Sequence, residues 1–266
     1  MKIINGIEIS RKIKEEVKEK IRKNHLNLTL ATILIGDSEA SKLYINLKEK
    51  VCNEVGIKVE KIEYSENTNN DIIINRIKEL NSKVNGILVQ LPLPKHLDKD
   101  KILNSIDVDK DVDGLTSDSL GNLILGNEKN APCTPKAVIY VLEKNNIKLK
   151  GKRVVLVGHG NVGKPLSIML LNRDATLEIC NEFTSNLKEH TLNADVLISC
   201  AGVANLINKE MVKEEAVVID VGINKKDDKI VGDVDEGVKQ KASLLCSVPG
   251  GIGPLTIAML IQRLVK

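Results

Sequence analysis

Aromatic side chains are nearly missing from this chain: of 266 residues none is Trp, one is Phe and three are Tyr. Base stacking on single-stranded nucleic acid therefore has little to work with, and Ile, Leu and Val must build the core. An excess of charge of one sign is missing too. The 39 basic and 36 acidic residues leave a net charge of +3 and are interspersed, so there is no basic stripe of the kind that nucleic acid or an anionic membrane demands. The five cysteines, Cys52, Cys133, Cys180, Cys200 and Cys246, are scattered and form no CxxC pair; an odd number without a secretory signal reads as reduced thiols. The four histidines lie far apart, without metal-ligand spacing, so no bound metal is expected. No apolar run approaches membrane-spanning length, and the first ten residues lack the apolar core of a signal peptide. The expectation is a cytoplasmic protein whose partners include neither nucleic acid nor membrane.

What is present is ordinary for a globular chain, 42% hydrophobic and 28% charged, long enough for one large domain or two modest ones. Short β-branched runs alternate with helical spacing. The strands are expected at 28–35, 57–63, 86–91, 153–157, 176–180, 195–200 and 216–221, and the helices at 10–23, 38–55, 69–82, 134–145 and 163–172. Runs such as Val154-Val155-Leu156-Val157 lack polar alternation and read as parallel strands covered on both faces. This is an α/β pattern with right-handed crossovers. Between 107 and 135 glycine and proline accumulate, which marks a boundary between two α/β halves.

The strand at 153–157 runs into Gly158-His159-Gly160-Asn161-Val162-Gly163 and then a helix. In such a GxGxxG turn the first glycine allows the tight bend, the second lets backbone amides approach a pyrophosphate, and the third lets helix pack on strand. The phosphate then sits at the positive end of the helix. The motif alone is weak; strand, turn, helix and following strand in register strengthen it. The same residues imitate a P-loop as far as Gly163-Lys164, but the position that needs a hydroxyl for magnesium is Pro165. Glu182, past the end of the next strand, stands where an acidic side chain accepts from the adenosine ribose of NAD and would repel a 2′-phosphate. Cys200-Ala201 and Gly222, at the ends of two later strands, complete the candidate cofactor-binding set.

In the first half, Ser41, Tyr44 and Lys48 share one helix face. A tyrosine beside a lysine can hold a flat substrate and supply a proton carrier, although spacing alone favours a solvated face among Lys42, Glu49 and Lys50. A set of motifs across the chain outweighs that bland reading: Ser41-x-x-Tyr44-x-x-x-Lys48, Gly86-Ile-Leu-Val-Gln90-Leu-Pro92-Leu-Pro94, Lys110-Asp-Val-Asp113-Gly114, Pro132-Cys133-Thr134-Pro135 and Val248-Pro249-Gly250-Gly251-Ile252-Gly253-Pro254. In this order they resemble the bifunctional methylenetetrahydrofolate dehydrogenase/methenyltetrahydrofolate cyclohydrolase family.

The resemblance implies two α/β lobes around a cleft, the second a Rossmann-type parallel sheet. Residues 1–117 with 254–266 would form a folate-binding catalytic domain, and 118–253 the dinucleotide-binding domain. It implies hydride transfer from 5,10-methylenetetrahydrofolate to a nicotinamide cofactor, then hydrolysis of the methenyl product to 10-formyltetrahydrofolate. By analogy Lys48 is the acid/base group and Gln90 holds it. Tyr44 packs on the aminobenzoyl part, and Asp113 binds the pterin, whose N–H edge suits a carboxylate. Ser41, Pro249, Gly250 and Gly251 would contact substrate, and Pro254 would open the last helix at its favoured first position. A homodimer is implied as well. The chain departs from the family at its cofactor turn, where a longer GRS-x-x-VG is usual, and at Glu182, where Ser or a basic residue is common. Both changes remove contacts for NADP, so NAD is expected to be preferred, with NADP possible. Without the resemblance two alternatives stay open: an NAD-dependent dehydrogenase of another small acidic metabolite, and a non-catalytic NAD(H)-binding module.

Overall fold

A computed structural model describes residues 1–227 and 229–265; Asp228, and Lys266 at the end of the segment expected to close the first domain, lie outside the described residues. In chain order the elements are β1 (Lys2–Ile3), α1 (Gly6–Lys23), β2 (Thr29–Ile35), α2 (Glu39–Val55), β3 (Lys58–Tyr64), α3 (Asn70–Asn81), β4 (Gly86–Val89), α4 (Lys99–Leu103), α5 (Ser117–Ile124) and α6 (Cys133–Lys144). They continue with β5 (Arg153–Val157), α7 (Gly163–Leu171), β6 (Thr176–Cys180), α8 (Leu187–Thr191), β7 (Val196–Ser199), β8 (Val217–Asp220), β9 (Asn224–Lys226), β10 (Lys229–Val231), β11 (Leu244–Cys246) and α9 (Ile252–Leu264). The fold is α/β with parallel sheets. The chain divides into two compact units, one of Met1–Ser10 with Thr134–Thr256, the other of Arg11–Cys133 with Ile257–Lys266. The sequence expectation set the division at 117/118, so the segment 118–133, which carries α5, groups with the earlier residues.

The unit holding Arg11–Cys133 is built on a sheet of strand order β3-β2-β4, parallel throughout. Its apolar runs pack one face of the sheet (Ala31, Ile33, Ile87, Val89) against Ile73, Ile77 and Leu80 of α3 and Ile102 of α4. The chain leaves β2 for β3 on one side and returns to β4 on the other. Ends of β2 and β4 therefore flank a switch point, where α/β sheets place ligands. A parallel bridge between Ile87 and Asp111 extends the sheet beyond β4.

The other unit holds, among the described residues, six parallel strands in the order β1-β11-β8-β7-β5-β6. Buried Val155, Val157, Leu197, Val218 and Leu245 form the core on one face. Its switch point lies between β5 and β7. β9 and β10 make a small antiparallel hairpin.

Two helix starts differ from the expected ones by more than one residue. α1 begins at Gly6 rather than at residue 10, because Asn5 Oδ1 accepts from the Glu8 amide at 3.0 Å and caps it. A side chain at Gly6 would place its Cβ 1.9 Å from the Gly251 carbonyl oxygen. α9 begins at Ile252, not Pro254. Proline is still within the first turn, where its missing N–H has no partner to lose.

Candidate active site

Lys48 lies in the third turn of α2, a helix capped by Ser38, whose Oγ accepts from the Ser41 amide at 3.4 Å. Ser41 itself is buried and Tyr44 is partly exposed; burial raises the Tyr44 phenol's pKa, so it stays a neutral donor. Lys48 Nζ donates to Gln90 Oε1 at 3.1 Å. Gln90 follows β4, and its Nε2 donates to the Leu91 carbonyl at 2.8 Å. That second bond orients the amide, turning its oxygen to the lysine. An ammonium group has three donors, so one is spent on Gln90 and the rest remain for a substrate.

Asp113 reaches the same end of the sheet. The strand-like segment before it runs parallel to β4, with Asp111 level with Ile87, which brings the Asp113-Gly114 turn beside the end of β4. The turn is held by Asp111, a residue that sequence reasoning missed. Its buried carboxylate accepts from the Gly114 amide at 2.7 Å, the Thr116 amide at 2.9 Å and Ser119 Oγ at 2.7 Å. Gly114 has φ +75°, and a Cβ there would lie 2.3 Å from the Asn130 carbonyl oxygen. Buried Arg263 of α9 clamps both flanks, donating to the carbonyls of Asp111 and Ala131. The acidic doublet in Lys110-Asp-Val-Asp113 was the available signal: one aspartate builds the turn and the other, Asp113, stays half-buried beside it.

In the other unit the turn after β5 fits a dinucleotide. Gly158 has φ +109° and its Cβ would lie 2.6 Å from the Cys200 carbonyl oxygen; one at Gly163 would lie 2.1 Å from the Gly158 carbonyl oxygen. Val162 stands at the N-cap of α7 with no side-chain cap bond, which leaves that turn's amides for an anion. His159, Gly160 and Asn161 are solvent-facing around it. Glu182 is exposed two residues past β6, with Oε2 4.0 Å from His159 Nδ1. Cys200 follows β7 and donates through Sγ to the Gly158 carbonyl at 3.4 Å; burial, reinforced by Asp233, pushes its thiol up to about 12, so it is no nucleophile. Ala201 donates its amide to Asp233 Oδ2 at 2.7 Å. Gly222 lies against the same carboxylate, where a Cβ would fall 1.9 Å from Asp233 Oδ1. Pro249, Gly250 and Gly251 also belong to this unit, between β11 and α9. Gly250 has φ +91°, and Gly251 passes so near Ser247 that a Cβ would meet its carbonyl oxygen at 2.4 Å.

Comparison with known proteins gives the same division of labour. Residues 4–113 match the model for the tetrahydrofolate dehydrogenase/cyclohydrolase catalytic domain, and 132–266 that for its NAD(P)-binding domain. The bifunctional protein FolD of Methanosarcina barkeri is 46% identical over 270 residues, 98% of this chain and 94% of that protein. The crystal structure of the bifunctional methylenetetrahydrofolate dehydrogenase/cyclohydrolase from Campylobacter jejuni superposes with a TM-score of 0.96 at 45% identity, covering 100% of this chain and 97% of that one. A Trypanosoma brucei enzyme, solved with NADP cofactor and inhibitor, reaches a TM-score of 0.93 at 32% identity over 98% of this chain and 95% of its own. The chain belongs to the tetrahydrofolate dehydrogenase/cyclohydrolase family: it oxidises 5,10-methylenetetrahydrofolate with a nicotinamide cofactor and hydrolyses the methenyl product to 10-formyltetrahydrofolate.

Proposed function

We propose that Lys48 carries the protons of the hydrolytic step, that Gln90 holds it, and that NAD is the preferred cofactor. The observation that carries this reading is the Lys48–Gln90 hydrogen bond at the end of β4. When bound, the nicotinamide accepts the hydride that leaves the methylene carbon. Lys48 first gives up an ammonium proton to solvent; as water then adds to the methenyl carbon, its free amine takes a proton from it. A proton is returned to the pterin N5 as the carbon–N5 bond breaks, leaving the formyl group on N10 and releasing one proton overall. Asp113 accepts from the N–H edge of the pterin. Tyr44 packs against the aminobenzoyl ring, with Ser41 beside it on α2 and the backbone of Pro249, Gly250 and Gly251 as further substrate contacts.

On the cofactor side, the proposed contacts are Gly158, His159, Gly160, Asn161, Val162 and Gly163 at the phosphates, Glu182 at the ribose, and Cys200, Ala201 and Gly222 past the ends of β7 and β8. The exposed carboxylate of Glu182 favours ribose hydroxyls over a 2′-phosphate, which it would repel. Hydride transfer measured with NAD and NADP at equal concentration tests this; a higher rate with NADP overturns it. We further propose a cytoplasmic homodimer. The described cysteines form no disulfide with one another, which suits a reducing compartment, and sedimentation at working concentration tests the dimer.

A further inference from the structure

The unit that binds the dinucleotide contains a carboxylate that neither reaction uses. Asp233 is wholly buried. Its Oδ2 accepts from Ser199 Oγ at 2.8 Å, the Ala201 amide at 2.7 Å and the Gly202 amide at 3.1 Å; its Oδ1 accepts from the Val203 amide at 2.9 Å and Asn224 Nδ2 at 3.0 Å. Three consecutive amides converging on one anion form a nest, the arrangement that elsewhere binds phosphate. Here the occupant is part of the chain. Asp233 is held in turn by Asp220, which accepts from the Asp233 amide at 3.0 Å and the Val234 amide at 3.1 Å. The fit is close enough that Gly222 has no room for a side chain.

The loop shaped in this way is the one against which the glycine turn rests. The Cys200 amide donates to the Val157 carbonyl at 2.8 Å and its Sγ to the Gly158 carbonyl at 3.4 Å. A Cβ at Gly158 would strike the Cys200 carbonyl at 2.6 Å. A displacement of the 199–203 loop would therefore carry over to Gly158.

We propose that Asp233 is a positioning residue for the nicotinamide dinucleotide. Its carboxylate fills the amide nest after β7, so that the nest takes no cofactor phosphate, and it fixes the 199–203 loop as the wall that shapes the glycine turn. This rests on the reading that the turn at 158–163 holds the dinucleotide.

The test is a fluorescence titration of wild-type protein, Asp233→Asn and Ser199→Ala with NADH and NADPH, together with KM values for cofactor and methylenetetrahydrofolate. Asn would turn an NH2 group toward backbone N–H donors, and we expect the dissociation constant to rise about tenfold. Ser199→Ala removes one of the five bonds and should raise it about threefold. The cofactor KM should rise in parallel while the folate KM stays within about twofold, a split that general loss of structure does not produce. Wild-type affinity in both variants, or equal rises in the two KM values, overturns the proposal. If Asp233→Asn does not fold, Ser199→Ala and Asn224→Ala decide it by the same criterion. A wild-type protein that binds neither dinucleotide overturns the reading of the glycine turn itself, and this inference with it.

Discussion

Replacing Gln90 by Leu tests whether the lysine must be held in order to work. Leucine keeps much of the side-chain volume but removes the oxygen that accepts from Lys48 Nζ at 3.1 Å. It also removes the Nε2 donor that ties the amide to the Leu91 carbonyl at 2.8 Å. A hydrogen bond from a cation to a neutral acceptor contributes about 1.5–3 kcal/mol. Both side chains are only half-buried, so water replaces part of the loss and the lower figure applies. At 1.36 kcal/mol per factor of ten in rate, that predicts a fall of about tenfold in the ring-opening kcat. The assay follows the disappearance of methenyltetrahydrofolate by its absorbance at saturating substrate, corrected for uncatalysed hydrolysis. A Gln90→Leu enzyme that opens the ring at the wild-type rate would refute the claim that Gln90 acts by holding Lys48.

Lys48→Met, of similar length but without an amine, should abolish ring opening in the same assay; hydrolysis at the normal rate would remove Lys48 from the mechanism. Asp111→Ala leaves two buried amides and the Ser119 hydroxyl without their acceptor. At about 1–3 kcal/mol for each stranded donor, it should destabilise the protein by about 4 kcal/mol, read as a lower urea midpoint. The Asp220 carboxyl is pushed up to about 6, chiefly by burial. The folded state thus holds a proton there that the unfolded chain has released between about pH 4 and 6, and this group's contribution is lost as pH rises through that window. At 1.36 kcal/mol per pKa unit the loss is about 3 kcal/mol. Glu54, Asp98 and Asp195, held low by lysines and backbone amides, act in the opposite sense. The measurement is therefore the difference between wild type and Asp220→Asn in thermal melts from pH 4 to 7, and parallel profiles would contradict it.

The parts legible in the sequence are those whose cause is local. An apolar run without alternation marked β5 to the residue, because a strand covered on both faces needs nothing else to mark it; the half-exposed edge strand β6 also keeps its expected bounds. Ser38 and Asn69 cap α2 and α3 as their side chains dictate. β1 and β11, of two and three residues, are too short to show a period; they exist because β11 pairs with β8 and β1 in turn covers β11 at the edge of the sheet. The pairing of Lys48 with Gln90 spans 42 positions, and no local pattern implies it; only the family motifs pointed there. Asp111 and Asp233 were missed for a related reason. Each looks like a turn former in Asp-Val-Asp and Gly-Asp-Val-Asp, and only burial reveals a carboxylate whose partners are backbone amides.

The first strand bears on any attempt to divide the molecule. The Lys2 amide donates to the Ser243 carbonyl at 2.7 Å and the Ile4 amide to Leu245 at 2.9 Å, so the opening residues shield the rim of a sheet whose other strands all come from beyond residue 150. A fragment begun at residue 134 would leave the β11 rim bare, inviting strand-to-strand association between copies. Grafting the first ten residues back onto such a fragment should restore a well-behaved protein more effectively than trimming its far end.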